Sequence, residues 1–359
     1  MGFSAMDKSH RQYETPSRFL LLPPEIRLQV YRHLLSSTCL THGQRPITRI
    51  STKHKLMKPA PNSLAILRSC RSINREIGSF WIGQVLFAFE RVHDLLEKLS
   101  SVPRGVVEQI RHIRVGSQPI LLLPPPDYRN KVLVKLVWAL KLLPGLRLGT
   151  LTVLGDYGPE VAYITIDGLV NYGNEWRELR YITGDSRMLG FRRVQFYHQI
   201  LYARKPQPST WSRVMAERDG VDSGAAVAIY RSTQANTPGT VINPQNRQRF
   251  EQELQPGESV ESFGVGEDPE LMHEDNARKE LLVIVRRGEH AKIIEDTTVP
   301  FHKDDIRQVF GVMTWPEIKE RYDWQPSDSE DEVGSEEEQG LVEYDSYVDV
   351  NEYTIMPLD

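Results

Sequence analysis

The sequence predicts a mixed α/β fold, of the α+β or α/β class, with a helical N-terminal module, an irregular repeat-like body and an acidic C-terminal tail. Three observations lead to this prediction. Apolar residues near the N-terminus recur at helical spacing, strand-like and helix-like segments then alternate, and the last 34 residues are strongly acidic. With 359 residues, 40% of them hydrophobic, the chain is long enough to bury a substantial core.

The first helix is predicted within residues 19–35, after a disordered lead over 1–18. Pro23 and Pro24 suit a helix start because proline lacks the N–H that the first turn leaves unpaired. Glu25 then places negative charge at the positive end of the helix dipole. Apolar residues follow at i, i+4 and i+8 and form one stripe of Ile26, Val30 and Leu34.

A second helix is predicted after an inserted segment, 36–60, which has a weak strand signal over 46–58. Asn62 or Ser63 is the expected N-cap of this helix. Its apolar face comprises Ile66, Cys70, Ile73 and Ile77. We expect Cys70 to behave there as a small hydrophobic side chain.

A loose repeat follows, in which three segments share one apolar spacing and each precedes a helix-like segment. The segments are Ile110-x-x-Ile113-x-Val115, Leu148-x-x-Leu151-x-Val153 and Trp176-x-x-Leu179-x-Tyr181, followed by helices at 128–143, 165–174 and 191–204. This alternation predicts a parallel or mixed sheet covered by helices. The spacing resembles a leucine-rich repeat over 110–204, although the steps are long and unequal for that family. An ordinary α/β layer is an equal alternative.

The remaining elements are predicted from shorter patterns. Strand signals are found at 85–90, 225–232 and 279–288, and helix signals at 91–102, 205–220 and 302–324. The last helical stretch is split at Trp315-Pro316. A polar stretch, 233–278, is expected to form a long surface excursion.

Charge is distributed unevenly along the chain. Residues 326–359 contain 12 Asp or Glu and no Lys or Arg, which leaves 36 of the 48 acidic residues against all 44 basic ones in the rest. A mildly basic body thus precedes an acidic tail that is expected to be disordered. The predicted division of the chain is 1–18, 19–90, 91–325 and 326–359.

No segment predicts membrane insertion or secretion. The most apolar stretch, residues 131–143, is too short to span a bilayer and is interrupted by Lys135 and Lys141. The polar N-terminus lacks the apolar region of a secretory signal. Two cysteines cannot form a disulfide framework, so a reducing compartment, the cytoplasm or the nucleus, is expected.

The sequence contains no catalytic, cofactor-binding or metal-binding motif that supports an enzyme. Asp156 lies in a Gly- and Pro-rich stretch that is typical of a turn. The Gly-Asp-Ser stretch 184–186 follows a strand but has no identifiable base or oxyanion partner. Dispersed histidines such as His112 are expected to be structural. Basic residues do not form a stripe, so we expect no nucleic-acid partner.

The acidic tail contains three serines that fit an acidophilic kinase. Ser327, Ser329 and Ser335 each precede an acidic residue by three positions. Phosphorylation at these serines would add negative charge to the tail. A tail that only solvates the protein is an equally plausible interpretation.

Residues 22–34, LPPEIRLQVYRHL, resemble the first helix of an F-box, the module that docks on the Skp-type adaptor of cullin-RING ubiquitin ligases. The later ILRSCRSINREI, residues 66–77, is similar to the second element of fungal F-box-like proteins, a family without a known activity. An ordinary F-box reaches its next helix within a few residues, whereas 36–60 is inserted here. The resemblance implies that the adaptor and the protein's own core share Leu22, Pro23, Ile26, Val30, Tyr31 and Leu34.

Three functional hypotheses follow. The first is a substrate-recruiting F-box subunit that binds a Skp-type adaptor, and through it a cullin, while the body binds an unknown protein target. The second is an F-box-like scaffold or structural interaction protein with no role in ubiquitin transfer. The third is a hydrolase or transferase whose site the motifs do not reveal.

Overall fold

The computed structural model describes residues 17–46, 54–57, 63–123, 132–155, 158–190, 193–196, 199–252, 269–294, 301–302 and 305–324. The predicted disordered lead, except for residues 17 and 18, and the whole predicted acidic tail therefore lie outside the described residues. Arg18 begins a 3₁₀ turn, Arg18–Leu21, directly before the first helix.

Helices and strands alternate through most of the described chain. The α-helices are α1 Pro24–Ser36, α2 Ala65–Ser69, α3 Arg71–Ile77, α4 Val92–Ser100, α5 Arg104–Val107, α6 Leu136–Leu140, α7 Gly158–Tyr172, α8 Ser209–Asp219, α9 Pro269–Met272, α10 Glu274–Ala277, α11 Ile306–Phe310 and α12 Trp315–Arg321. The strands are β1 Cys39–His42, β2 Gln44–Pro46, β3 His54–Leu56, β4 Leu86–Phe89, β5 His112–Gly116, β6 Ile120–Leu123, β7 Val132–Val134, β8 Leu148–Leu154, β9 Trp176–Thr183, β10 Arg193–Phe196, β11 Gln199–Ala203, β12 Ala226–Ala235, β13 Arg247–Arg249, β14 Lys279–Arg286 and β15 Asp323–Trp324.

The centre of the molecule is an eight-stranded sheet of order β1-β4-β5-β8-β9-β14-β12-β13. The first five strands are parallel, and the last three add antiparallel neighbours. Helices connect the parallel strands, as such crossovers require. The predicted mixed α/β fold is confirmed, and its large sheet is mostly parallel.

The three segments of the predicted repeat form neighbouring strands of this sheet. Leu151 pairs with Ile113 on one side and with Leu179 on the other. The chain that follows each strand differs: β5 leads into the β6–β7 hairpin and the short α6, whereas β8 leads directly into the 15-residue α7. The three segments therefore share their strand and not the whole of a repeating unit.

The two faces of the central sheet differ in polarity because alternate side chains of a strand point to opposite sides. One face buries apolar side chains beneath the helices, including Ile113, Leu151, Leu179, Val283 and Ile229. We call the opposite side the polar face, although on its antiparallel strands it also carries an apolar cluster of Ile182, Leu282 and Ile284, packed with Val241 and Ile242. It carries the aligned rows Arg114, Thr152, Arg180 and His112, Thr150, Glu178.

Two predicted helices are wrong. Residues 128–143 were expected to form one helix, but the described part contains strand β7 and then the five-residue α6. Val132 and Val134 are β-branched and pair with β6, which outweighs the helical spacing. The segment 191–204 contains the β10–β11 hairpin instead of a helix, in keeping with its Val, Phe, Ile and Tyr residues.

The second predicted helix is interrupted at Cys70. The backbone of Cys70 is extended, with φ −158° and ψ 161°, and its Sγ accepts a hydrogen bond from the Ile73 N–H at 3.5 Å. Cys70 therefore acts as the N-cap of α3, a role that the prediction of a simple apolar side chain missed. The start of α2 also differs, since Leu64 is its N-cap and Ser63 lies one residue earlier.

The inserted segment 36–60 contributes to the central sheet. Within it, β1 forms the outermost parallel strand, next to β4, and β2 pairs with β3 in an antiparallel hairpin. The weak strand signal over 46–58 thus corresponds to parts of a hairpin. The predicted boundary between residues 90 and 91 falls between β4 and α4, so β1 and β4 of the N-terminal module belong to the sheet of the body.

The other predicted elements are confirmed with shifted ends. They are α1, β4, α4, α7, α8, β12, β14 and the pair α11 and α12. The break in the last pair precedes Trp315, because Thr314 and Glu317 form a capping box at the start of α12 and Pro316 fits its first turn. The polar stretch 233–278 contains β13, α9 and α10 in addition to turns.

Candidate docking surface

Helix α1 has two apolar faces, and the structure buries one of them. Tyr31 and Leu35 are 1% and 0% exposed and pack against Ile73, Ile77 and Val85. Phe19 meets the Tyr31 ring edge-on, with ring centroids 5.7 Å apart. These contacts attach the helix to α3 and to the start of β4.

The other apolar face of α1 is exposed. Leu22 is 39%, Ile26 43%, Val30 42% and Leu34 43% exposed. We call these four residues the docking stripe. Ile26, Val30 and Leu34 lie four positions apart on one side of α1, and Leu22 lies two positions before the helix begins at Pro24. Leu21 and Pro23 extend the exposed apolar surface at its N-terminal end. A row of exposed apolar side chains of this kind is typical of a protein interaction site.

A hydrogen-bonded network fixes the N-terminal half of α1. Glu76 of α3 accepts from Arg27 Nη2 at 2.8 Å, from Arg27 Nε at 3.0 Å and from the Tyr31 hydroxyl at 3.0 Å. Arg27 also donates to the carbonyl groups of Leu20 and Leu22. The network therefore holds the segment before the helix as well as the helix itself, and it positions Leu22 at the end of the docking stripe.

Hydrogen bonds, charge and burial set the pKa values of two groups in this network. The hydrogen bond from Arg27 lowers the pKa of Glu76, so its carboxylate stays charged across the neutral range. Burial raises the pKa of Tyr31, and the neighbouring Glu76 raises it further. Tyr31 is therefore a neutral hydrogen-bond donor beneath the helix.

The C-terminal end of α1 is connected directly to the sheet. Thr38 Oγ1 donates to the carbonyl of Leu34 at 2.8 Å, and the Leu86 N–H donates to the carbonyl of Thr38 at 3.0 Å. Two residues, Ser37 and Thr38, separate α1 from β1. The docking stripe therefore has a fixed position relative to β1 and β4.

The predicted partner-binding residues thus separate into two groups. The four members of the docking stripe and Pro23 are exposed, and the structure brings them together on one surface. Tyr31 lies on the buried face and contacts the protein's own core. Arg27 and Glu76 are not predictable from the sequence, because an ion pair between residues 49 positions apart leaves no periodic signal.

Two of the residues considered for chemistry, Asp185 and Ser186, form hydrogen bonds with nearby groups. Asp185 accepts from the Arg187 N–H at 2.9 Å and pairs with its guanidinium, while Ser186 Oγ donates to the carbonyl of Lys279 at 2.6 Å. His112 lies on the polar face, where burial and then the charge of Arg180 lower its pKa. Asp156 and the three predicted phosphorylation sites, Ser327, Ser329 and Ser335, lie outside the described residues.

Neither a candidate metal cluster nor a membrane-spanning helix is found in the described residues. Across the described ranges, no group of three or more His, Cys, Asp or Glu side chains is placed to hold a metal ion. None of the described helices has the length and apolarity needed to cross a bilayer. No family model, curated protein or solved structure matches the chain.

Proposed function

We propose that this chain is a protein–protein interaction protein that acts as a substrate-recruiting F-box subunit of a cullin-RING ubiquitin ligase. In this proposal the docking stripe binds a Skp-type adaptor and the α/β body recruits a protein target. The chain itself contributes binding rather than catalysis. Such a complex works in the cytoplasm or nucleus, and the free thiols of Cys39 and Cys70 are compatible with either compartment.

The observation that carries the proposal is the orientation of α1. A helix whose role is limited to the core turns its apolar residues inward, whereas three aliphatic residues of α1 at i, i+4 and i+8 face outward here, and Leu22 is exposed just before the helix. The Arg27–Glu76 network and the buried Tyr31 hold this surface in place without a partner. A preformed apolar helix face suits recognition in which one partner's groove covers a helix.

A second candidate function is an F-box-like scaffold with no role in ubiquitin transfer. One observation favours it: the segment after α1 enters the central sheet as β1 instead of continuing into a neighbouring helix. This arrangement departs from the short helical unit of an ordinary F-box. In this alternative the docking stripe binds a different protein through the same apolar contacts.

The two candidates are distinguished by testing adaptor binding with the intact chain. The purified protein is mixed with a purified Skp-type adaptor, and complex formation is measured by size-exclusion chromatography and isothermal titration calorimetry. The test variant carries Ile26→Asp and Val30→Asp. Because an interface would bury both new carboxylates without partners, we expect at least about tenfold weaker binding.

The matched control carries Val221→Asp and Val312→Asp, two apolar residues that are exposed outside the docking stripe. It introduces the same charge and should bind the adaptor as the unmodified chain does. Circular dichroism establishes that both variants remain folded. The adaptor proposal is contradicted if the unmodified chain does not bind the adaptor, or if the Ile26/Val30 variant binds it equally well. Binding of a different protein through the docking stripe would then support the scaffold.

A further inference from the structure

Arginine side chains gather on the polar face at the end of the central sheet that carries the antiparallel strands. Arg180 on β9 is buried, Arg286 on β14 is half-exposed, and Arg247 and Arg249 lie on the edge strand β13. The register places all four on one side of the sheet. We call Arg247, Arg249 and Arg286 the arginine rim.

The acidic side chains described on this part of the face already have partners. Glu178 accepts from Arg180 Nε at 2.7 Å and from Arg286 Nε at 3.0 Å. Glu280 accepts from the backbone N–H groups of Gly239 and Val241. Glu251 pairs with Arg249 at 2.9 Å. Among the described residues, two carboxylates pair with the three arginines of the rim, and one of them, Glu178, is shared with Arg180.

Arg247 shows the resulting electrostatic imbalance most clearly. Its guanidinium lies 4.4 Å from the centroid of the Tyr230 ring and donates to the carbonyls of Val241 and Ile242. Within the described residues these contacts are with neutral groups. Burial, with a further contribution from the positive charge of Arg180, lowers the pKa of Arg247. A carboxylate near Arg247 would therefore be favoured.

The same chain contains a segment of opposite charge. Residues 326–359 hold 12 acidic and no basic residues, and seven of the acids fall within 328–338. The described chain ends at Trp324, and the 35 residues beyond it can reach more than about 100 Å when extended. Length therefore allows the acidic segment to reach any part of the molecular surface.

We propose that the acidic segment 326–359 docks on the polar face through the arginine rim of its own chain. Its carboxylates pair with Arg247, Arg249 and Arg286 and neutralise this end of the sheet. Contacts of this kind are multiple and individually weak, so the segment exchanges between bound and free states. Docking of the tail is independent of the docking stripe and of adaptor binding.

Proteolysis of the full-length chain tests this proposal. Chymotrypsin cleaves after Tyr344, Tyr347 and Tyr353 of the acidic segment, and mass spectrometry measures each cleavage rate. At low salt we expect slow cleavage because the segment is docked. At 1 M salt, where the Debye length is about 3 Å, we expect the segment to be released and cleaved faster, by a factor of roughly two to five for each lost contact.

Two variants establish where the segment docks. Arg249→Glu with Arg286→Glu reverses two charges of the rim, one exposed and one half-exposed, and should raise the low-salt cleavage rate to the high-salt value. The matched control, Arg104→Glu with Arg213→Glu, makes the same change of net charge on α5 and α8, where both arginines also pair with a glutamate. The control should keep the slow rate.

A third variant changes the segment instead of the rim. Replacing the three glutamates at 336–338 with glutamine removes negative charge while keeping every chymotrypsin site, and we expect it to be cleaved faster at low salt. Cleavage of the unmodified chain that is equally fast at low and high salt overturns the proposal. Equal low-salt rates for the rim variant and the helix control overturn it as well.

Discussion

Leu34 and Leu35 are adjacent residues of the same type, one exposed and one buried on α1, so they test its assigned orientation directly. Leu34 is 43% exposed in the docking stripe, whereas Leu35 is 0% exposed among Ile73, Ile77 and Val85. We predict that replacing each with alanine has very different effects. Leu35→Ala should destabilise the protein strongly, and Leu34→Ala should mainly weaken partner binding.

The magnitudes follow from burial. Leu35→Ala removes a fully buried side chain and leaves a cavity, which costs about 2–5 kcal/mol. Leu34 has a little over half of its side chain covered, and water can fill the space that alanine leaves. Leu34→Ala should therefore lower the free energy of unfolding by at most about 1 kcal/mol, and the better helix propensity of alanine offsets a few tenths of this.

Urea denaturation measures both values. Far-ultraviolet circular dichroism follows the helices, and tryptophan fluorescence includes Trp81, which packs against the same cluster. The orientation of α1 would be refuted if the two variants lose the same unfolding free energy within about 0.5 kcal/mol, which is the usual range for surface substitutions. A larger loss for Leu34→Ala than for Leu35→Ala would refute it too.

Three further predictions concern stability. Lys141 and Glu175 form a buried ion pair, 3.3 Å apart. Lys141→Met should therefore lower the free energy of unfolding, measured in urea, by about 3–5 kcal/mol, and the double variant Lys141→Met with Glu175→Gln should recover part of this loss. Burial opposes the charged form of Asp219, but hydrogen bonds from Arg287 and the Gly288 N–H outweigh it and lower the pKa of Asp219. The stability that the Asp219 carboxylate contributes is therefore present above pH ~3.9 and is lost as the pH falls further. The difference in unfolding free energy between the unmodified chain and Asp219→Asn should accordingly become smaller in acid. Cys70→Ser keeps a capping acceptor and should match or exceed the unmodified chain in melting temperature, whereas Cys70→Ala should lower it.

The sequence predicted the elements in which local pattern and tertiary contacts agree. The apolar spacing that predicts β5, β8 and β9 lies within each strand itself, and all three strands pair with one another as expected. In 191–204 the helical spacing was misleading, because β-branched and aromatic residues pair as a hairpin.

The candidate site was predicted only in part, for a different physical reason. Ile26, Val30 and Leu34 are recognisable as a stripe from spacing alone. Which of the two apolar faces of α1 is buried depends on Ile73 and Val85, which are about forty or more positions away. A helical pattern contains no information about such distant partners.

The strand that follows α1 has a mechanical consequence. Because β1 pairs with β4 along four residues and begins two residues after α1, the helix cannot swivel independently of the sheet. A protein bound to the docking stripe is therefore held at one angle to the body, because no flexible linker lets that angle vary. The distance between that protein and anything bound to the body is then set by the fold, in the way that a rigid spacer sets the separation of two parts.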